Sequence, residues 1–442
     1  MKLIRTGSRI LLSRLSQVFA NALVVMVVAK SLGPEGQGHY SLTIALALLL
    51  SALMGGGMGL AAVPPLRQDK VPIRRMLKAQ LLWASVMVAV LFGLGWLSTG
   101  AAAADLFSAR LGWFAGVGFI VALAATGLLG FDIFSYDLLA RGRLVIGSAV
   151  NGWRAFGHLV LIALVAAVSG MTLGRAVGAF AVAQFAGGAV MLLLILREIK
   201  SPRRTLRVMA PDDPVAIADT DIPADLGQRS LLGLIAYNLR RGWLGQISAV
   251  AYFLLLRLDQ GLLEYFCGAA EVGIYSVGVY VGEMLWLLPG ALTPLLVHSS
   301  AATGASGERD ATAVRALRLG LGVTLAAAIP LYLLAGPLLE LLAGGQFAGS
   351  GPALRALLPG IVAFAPGAVL AGDFIGRGKP HWNTQASGLT VVVNVVFGLI
   401  LIPDGGAVGA AWASSIAYAA GASVMLLRFH QVTGLWIFSR SR

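Results

Sequence analysis

Leu42–Val63, Leu81–Leu97 and Leu111–Phe131 are long apolar runs without a single charged residue. Such runs leave few options. The hydrocarbon core of a bilayer is ~30 Å thick, and roughly 20 helical residues at ~1.5 Å each cross it. Lipid offers no hydrogen-bond partner to an open backbone, so a spanning segment is a helix or a strand of a closed barrel. Barrel strands alternate in polarity and end after ~10 residues; these runs do neither. The pattern recurs to the end of the chain and predicts about twelve spans, among them Ile10–Ala29, Leu144–Val168, Leu244–Phe266, Ala316–Leu342 and Ala386–Ile402. The expected fold class is an all-α polytopic membrane protein with two six-helix lobes. Charged residues make up 12% of the chain, against about 25% in a typical soluble protein.

The net charge of +13 raises the question of a nucleic-acid partner, and its distribution answers it. Most of the 33 basic residues fall in connections on the side of the N-terminus, such as 67–78, 197–241 and 309–318. The opposite side holds Lys30, Arg110, Arg175 and Arg355. The positive-inside rule then places both termini in the cytoplasm. Anionic membrane lipids, not nucleic acid, are the expected neighbours of the basic loops. Cys267 is the one cysteine, so no intrachain disulfide is expected. Ala20-Asn21-Ala22 has the small-residue form of a cleavage site, but Arg14 and Gln17 interrupt the apolar segment before it, and we read it as a retained first helix.

The segment SLGPEGQGHYSL, residues 31–42, has a counterpart in FCGAAEVGIYSV, residues 266–277. Laying Gly33 on Gly268 brings Gly38 onto Gly273, Tyr40 onto Tyr275 and Ser41 onto Ser276. Neither copy has the spacing of a phosphate-binding loop. A second match, ARGR at 140–143 with GRGK at 376–379, falls at nearly the same separation. Both point to a duplicated unit. Six spans per unit is an even number, so the copies enter the membrane in the same sense. They are then related by an axis along the membrane normal, with a cavity where they meet. The predicted organisation is a six-helix lobe over 1–198, a polar, proline-containing cytoplasmic linker over 199–229, and a second lobe over 230–442.

LGPEGQGHYSL, RLDQGLLEYFCGAAEVGIYSVGVYVGEMLWLLPGALTPLL (257–296), LLAGGQFAGSGPALRALLPG (341–360) and the stretch 376–418 resemble, in order and spacing, the polysaccharide-biosynthesis flippases of the multidrug/oligosaccharidyl-lipid/polysaccharide exporter superfamily. The resemblance covers almost the whole chain; the second loop departs from it, with Ala269-Ala270 in place of Pro-Glu. It implies a two-lobed flippase in the bacterial inner membrane. Its substrate would be undecaprenyl-diphosphate-linked oligosaccharide repeat units of an O-antigen or exopolysaccharide, moved by alternating access beside polysaccharide polymerase machinery. A transporter and not an enzyme is expected, with no cofactor; a proton and a sodium ion are the candidates for a coupling ion, and the residues do not choose between them or fix the energy source.

Ionisable groups inside a bilayer are costly and ask for a role. Arg257 is central in the seventh span, and Glu264, seven positions on, shares its face; Asp259 lies about 200° away. Arg257 has two readings. It can receive the anionic headgroup, since guanidinium binds diphosphate through paired hydrogen bonds, or it can form a structural ion pair with Asp259 or Glu283. Asn151, Arg154 and His158 form one stripe on the fifth span, and Arg14, Gln17 and Asn21 another on the first. Shifted by one repeat, the fifth-span positions become Ser387, Thr390 and Asn394. Cavity lining and interhelical hydrogen bonding both fit these stripes. Asp259, Glu283 and Glu264 are the candidates for ion coupling. Asp132 and Asp373, near helix ends, are expected to be solvated. No metal cluster, catalytic triad or nucleotide motif is visible.

Two rival functions were open to the chain. A drug or cation exporter of the same superfamily wants excess carboxylate at depth, which Arg14, Arg154 and Arg257 offset. A membrane glycan ligase or polymerase wants a sizeable outer loop for its catalytic residues, and none is present.

Overall fold

The computed structural model describes residues 2–98, 117–200, 222–290, 296 and 306–438. Arg110, most of the linker and the start of the Leu111–Phe131 run lie outside them. The regular structure of the described residues is all helical, without a strand. In chain order the helices are α1 (Lys2–Gly55), α2 (Met58–Arg67), α3 (Ile73–Leu97), α4 (Gly118–Ala140), α5 (Leu144–Val168) and α6 (Leu173–Lys200). They continue as α7 (Leu231–Cys267), α8 (Ala269–Glu283), α9 (Leu287–Gly290), α10 (Ser306–Ala343), α11 (Ser350–Gly376) and α12 (His381–Thr433). Among the described residues, 8 helices are long and apolar enough to cross a membrane. The chain is an all-α polytopic membrane protein.

The two longest helices are each double. α1 breaks at Gly33 (φ 69°, ψ −177°) and α12 at Gly406 (φ 51°, ψ −134°). Gly33 adopts a backbone that residues with a Cβ rarely take, and the first span turns there into the second. Its repeat partner Gly268, between α7 and α8, has the same conformation (φ 85°, ψ 174°). The second arm of α12 is held at its start by Glu271, whose Oε2 accepts the Ala407 N–H at 2.8 Å.

The shorter matched pair behaves the same way. After α4, Gly142 has φ 71°, and after α11, Gly378 has φ 69°. The Arg143 N–H reaches back to the Leu138 carbonyl at 2.8 Å, and the Lys379 N–H to that of Phe374 at 2.7 Å. Both helices thus end in the same glycine cap, which satisfies carbonyls that the last turn leaves open.

Two of the spans start earlier than their apolar runs. α7 begins at Leu231, before the predicted Leu244, and α10 at Ser306, before Ala316. Arg240 and Arg241 end the apolar run but not the helix, because hydropathy marks the part that meets lipid while hydrogen bonding continues beyond it. Pro330, Pro337, Pro359 and Pro366 all lie inside continuous helices.

The chain forms two compact units. One contains Met1–Val24, Leu42–Pro211 and Ala216–Val250; the other contains Val25–Ser41 and Ala251–Arg442. The core of the first packs Met58, Met76, Leu129, Phe134, Ile195 and Leu234. That of the second packs Leu317, Val369, Phe374, Met425 and Phe429. On α5 the large apolar side chains Trp153, Phe156, Val160 and Leu164 are exposed. They form a stripe suited to lipid, which leaves the stripe of Asn151, Arg154 and His158 to another direction.

Candidate functional site

Within the second unit, one turn of α7 sends opposite charges in opposite directions. Arg257 turns to α8. Its Nη1 and Nη2 donate to Glu283 Oε1 and Oε2 at 2.8 and 3.1 Å, a bidentate pair whose side chains are only 14% and 17% exposed. Tyr280, one turn before Glu283 on the same face, places its ring centre 5.4 Å from the guanidinium carbon. Of the two readings open to Arg257, the ion pair with Glu283 is the arrangement present.

Asp259 is buried among neutral donors. The Tyr275 hydroxyl donates to its Oδ2 at 2.5 Å, the Ser414 hydroxyl to the same oxygen at 2.9 Å, and the Gln260 N–H to Oδ1 at 2.8 Å. Asn394 Nδ2 donates to Ser414 Oγ at 3.1 Å and fixes that hydroxyl. α7, α8 and both arms of α12 therefore meet at one carboxylate. Among the described residues no guanidinium or ammonium hydrogen-bonds to it; Arg257 acts on it only through space.

In the first unit, α1 and α5 are joined by a chain of polar side chains. Asn151 Nδ2 donates to Gln17 Oε1 at 2.8 Å, and Arg154 Nη2 donates to Asn151 Oδ1 at 2.6 Å. The Arg154 guanidinium lies 4.2 Å from the centre of the Phe131 ring on α4. Its Nη1 is buried without a hydrogen-bond partner. Each interhelical bond of this kind is worth about 0.6–2 kcal/mol in a membrane, so the chain orients Arg154 more than it stabilises the fold. His158, one turn on, is buried with its ring edge-on to Phe180 at 5.4 Å.

The structure thus groups Gln17 with Asn151 and Arg154, Asp259 with Asn394, and Arg257 with Glu283. Arg14 is exposed and Asn21 half-buried, and neither takes part in these sets; Glu264 is half-buried. Ser387 is half-buried, and Thr390 is buried with its hydroxyl on the Ala386 carbonyl at 2.8 Å. Sequence reasoning missed Tyr275 and Ser414 as partners of Asp259; the repeat match of Tyr275 with Tyr40 was the available signal. One expectation is corrected. Asp373 is fully buried, not solvated, because Arg377 Nε donates to it at 2.6 Å and shields it from water. Asp132 is exposed. No group of three or more His, Cys, Asp or Glu side chains able to hold a metal occurs among the described residues.

No protein-family model and no curated protein matches the chain. Solved structures do. A lipid II flippase, MurJ, in an inward closed conformation aligns over 97% of this chain and 90% of its own, with a TM-score of 0.71 at 13% identity. A multidrug resistance MATE family transporter of the MOP superfamily aligns in its inward-facing conformation over 95% and 94%, with a TM-score of 0.65 at 18% identity. An outward-facing conformation of such a transporter aligns over 98% and 95%, with a TM-score of 0.64 at 15% identity. Over nearly its whole length, the chain has the fold of the transporters of the MOP superfamily.

Proposed function

We propose that the chain is a flippase for undecaprenyl-diphosphate-linked oligosaccharide repeat units in a bacterial inner membrane, with both termini cytoplasmic, working by alternating access between two six-helix lobes. The fold supports a transporter. The observation that carries the substrate class is Arg154, a guanidinium at depth whose Nη2 is held by the Asn151–Gln17 chain while Nη1 has no hydrogen-bond partner. A diphosphate is a large anion, and crossing a low-dielectric region costs it many kcal/mol unless it is paired. Arg154 offers that pairing from a nitrogen that no hydrogen bond occupies, with Asp132 acting on it through space and not as a hydrogen-bonded partner. Arg257 joins only when the headgroup displaces Glu283, because both carboxylate oxygens of Glu283 occupy its fork.

Asp259 supplies the coupling site in this reading. Its carboxylate, beside the Tyr275 and Ser414 hydroxyl oxygens, takes up a proton or a sodium ion and releases it as the helices around it move apart. The lipid II flippase with the same fold supports a lipid-linked substrate. A cation exporter would use Asp259 equally well but gains nothing from Arg154.

Mass spectrometry of a strain lacking this protein tests the proposal. Lipid-linked oligosaccharides should accumulate in their diphosphate form and disappear when the chain is restored. Unchanged lipid-linked sugars together with new sensitivity to cationic drugs would establish the exporter instead.

A further inference from the structure

The repeat places an acidic residue at the same point in both halves. Asp137 stands four residues before Arg141, and Asp373 four before Arg377. Both are fully buried. Their surroundings differ. In the second half Arg377 bridges two carboxylates, Asp373 at 2.6 Å and Asp310 at 2.7 Å. In the first half the hydrogen-bond partner of Asp137 is a neutral amide, Gln80 Nε2 on α3 donating to its Oδ1 at 2.9 Å, while Arg141 acts on it only through space. Asp137 Oδ2 has no partner.

Two further acceptors are stranded nearby. Having given its amino group to Asp137, Gln80 leaves Oε1 buried without a donor. Asn238, on the first half of α7, gives Nδ2 to Met76 Sδ at 3.2 Å and leaves Oδ1 in the same state. Met76 and Gln80 are one turn apart on the same face of α3, so the three polar side chains collect around that turn. Gln80, Asp137 and Asn238 are all fully buried. Buried acceptors without donors are rare and costly. Three around one turn of α3, with one carboxylate among them, describe a ligand set rather than a packing accident.

We propose that Asp137 Oδ2, Gln80 Oε1 and Asn238 Oδ1 bind a sodium-sized monovalent cation between α3, α4 and the first half of α7. Hard cations take oxygen ligands from carboxylates and amides. One carboxylate balances a single charge; a divalent ion would leave a net charge in a dry core. A proton on Asp137 would serve one amide oxygen and strand the other. A buried water carries two hydrogens for three acceptors. The site is separate from Asp259, and the proposal does not depend on what the chain transports.

The test uses the full chain, purified, carrying Asp259→Asn so that the other ion site is silent. Thermal unfolding is compared in sodium chloride and choline chloride at equal ionic strength. Sodium alone should raise the midpoint by several degrees, as a ligand of the folded state does, and Asp137→Asn should remove the rise. Should that variant fail to fold, radioactive sodium binding to the Asp259→Asn protein decides: one bound ion per chain supports the site. Equal midpoints in the two salts with no bound sodium overturn it. A midpoint that responds to pH but not to sodium also overturns it, in favour of a protonated Asp137.

Discussion

Gly38 and Gly273 meet backbone to backbone. A Cβ on Gly38 would overlap the Ala269 carbonyl oxygen, and a Cβ on Gly273 would overlap that of Pro34. The two contacts are reciprocal because the residues are repeat partners. Gln37 ties the same region, donating from Nε2 to Ser276 Oγ at 3.3 Å. An inserted side chain in a filled contact costs ~1–3 kcal/mol, enough to raise an open population about tenfold. Gly38→Val should therefore expose Cys267, two residues before Ala269, and speed its labelling by a membrane-impermeant maleimide about tenfold. A labelling rate equal to wild type would show that the contact yields without opening.

The Arg257–Glu283 pair separates a structural role from a functional one. Removing one partner of a buried pair costs about 3–5 kcal/mol, whereas replacing both by apolar residues is often neutral. Arg257→Ala should destabilise the chain and abolish flipping. The double variant Arg257→Met with Glu283→Leu should recover thermal stability and not flipping, and Arg257→Lys should keep part of the activity. Full flipping by the double variant would reduce the pair to scaffolding.

Arg154 carries a quantitative expectation. A hydrogen bond to a charged group is worth ~1.5–3 kcal/mol, so Arg154→Met should weaken binding of the lipid diphosphate by about tenfold to a hundredfold. Titration with a short-chain lipid diphosphate measures this. Asn151→Ala, which frees Arg154 from its orienting bond, should weaken binding less. Equal affinity of Arg154→Met and wild type would move the headgroup elsewhere.

Asp259→Asn replaces the caged carboxylate by an amide of the same size that cannot carry the charge. Proteoliposomes should then lose acceleration by an imposed sodium or proton gradient while keeping exchange down the substrate gradient. A response to the gradient that survives the substitution would exclude Asp259 as the coupling site.

The charge asymmetry of the connections predicts topology. A reporter fused at Gly378 should read as cytoplasmic and one at Gly345 as external. The opposite result at Gly378 would remove the twelve-span layout.

Much of the fold was legible in the residues because lipid imposes a strong filter: a span must be apolar, and a turn between spans needs glycine. Gly33 and Gly268, matched by letters alone, share one backbone conformation. The helix ends were not legible at α7, where Arg240 and Arg241 close the apolar run without closing the helix. The polar sets were half legible. Gln17, Asn151 and Arg154 could be picked out as costly residues in lipid, and they do meet. Asp259 could be picked out too, but its partners Tyr275 and Ser414 come from helices whose angular register no spacing rule supplies. Asp373 shows the limit most plainly, since its environment depends on Arg377 and Asp310 arriving from a capped turn and a different helix.

The glycine caps at 142 and 378 bear on how such a chain came to be. A half-length ancestor working as a symmetric pair must carry the same side chain at both copies of every position, because isologous subunits share one gene. Any residue that improved one copy would have been imposed on the other. Joining two such copies end to end ends that coupling: the punctuation that shapes the backbone is common to both halves here, while the residues around it are free to differ. Asp137 and Asp373 are the same residue in both copies, and what differs is what meets them: Arg377 donates to Asp373, whereas Gln80 donates to Asp137.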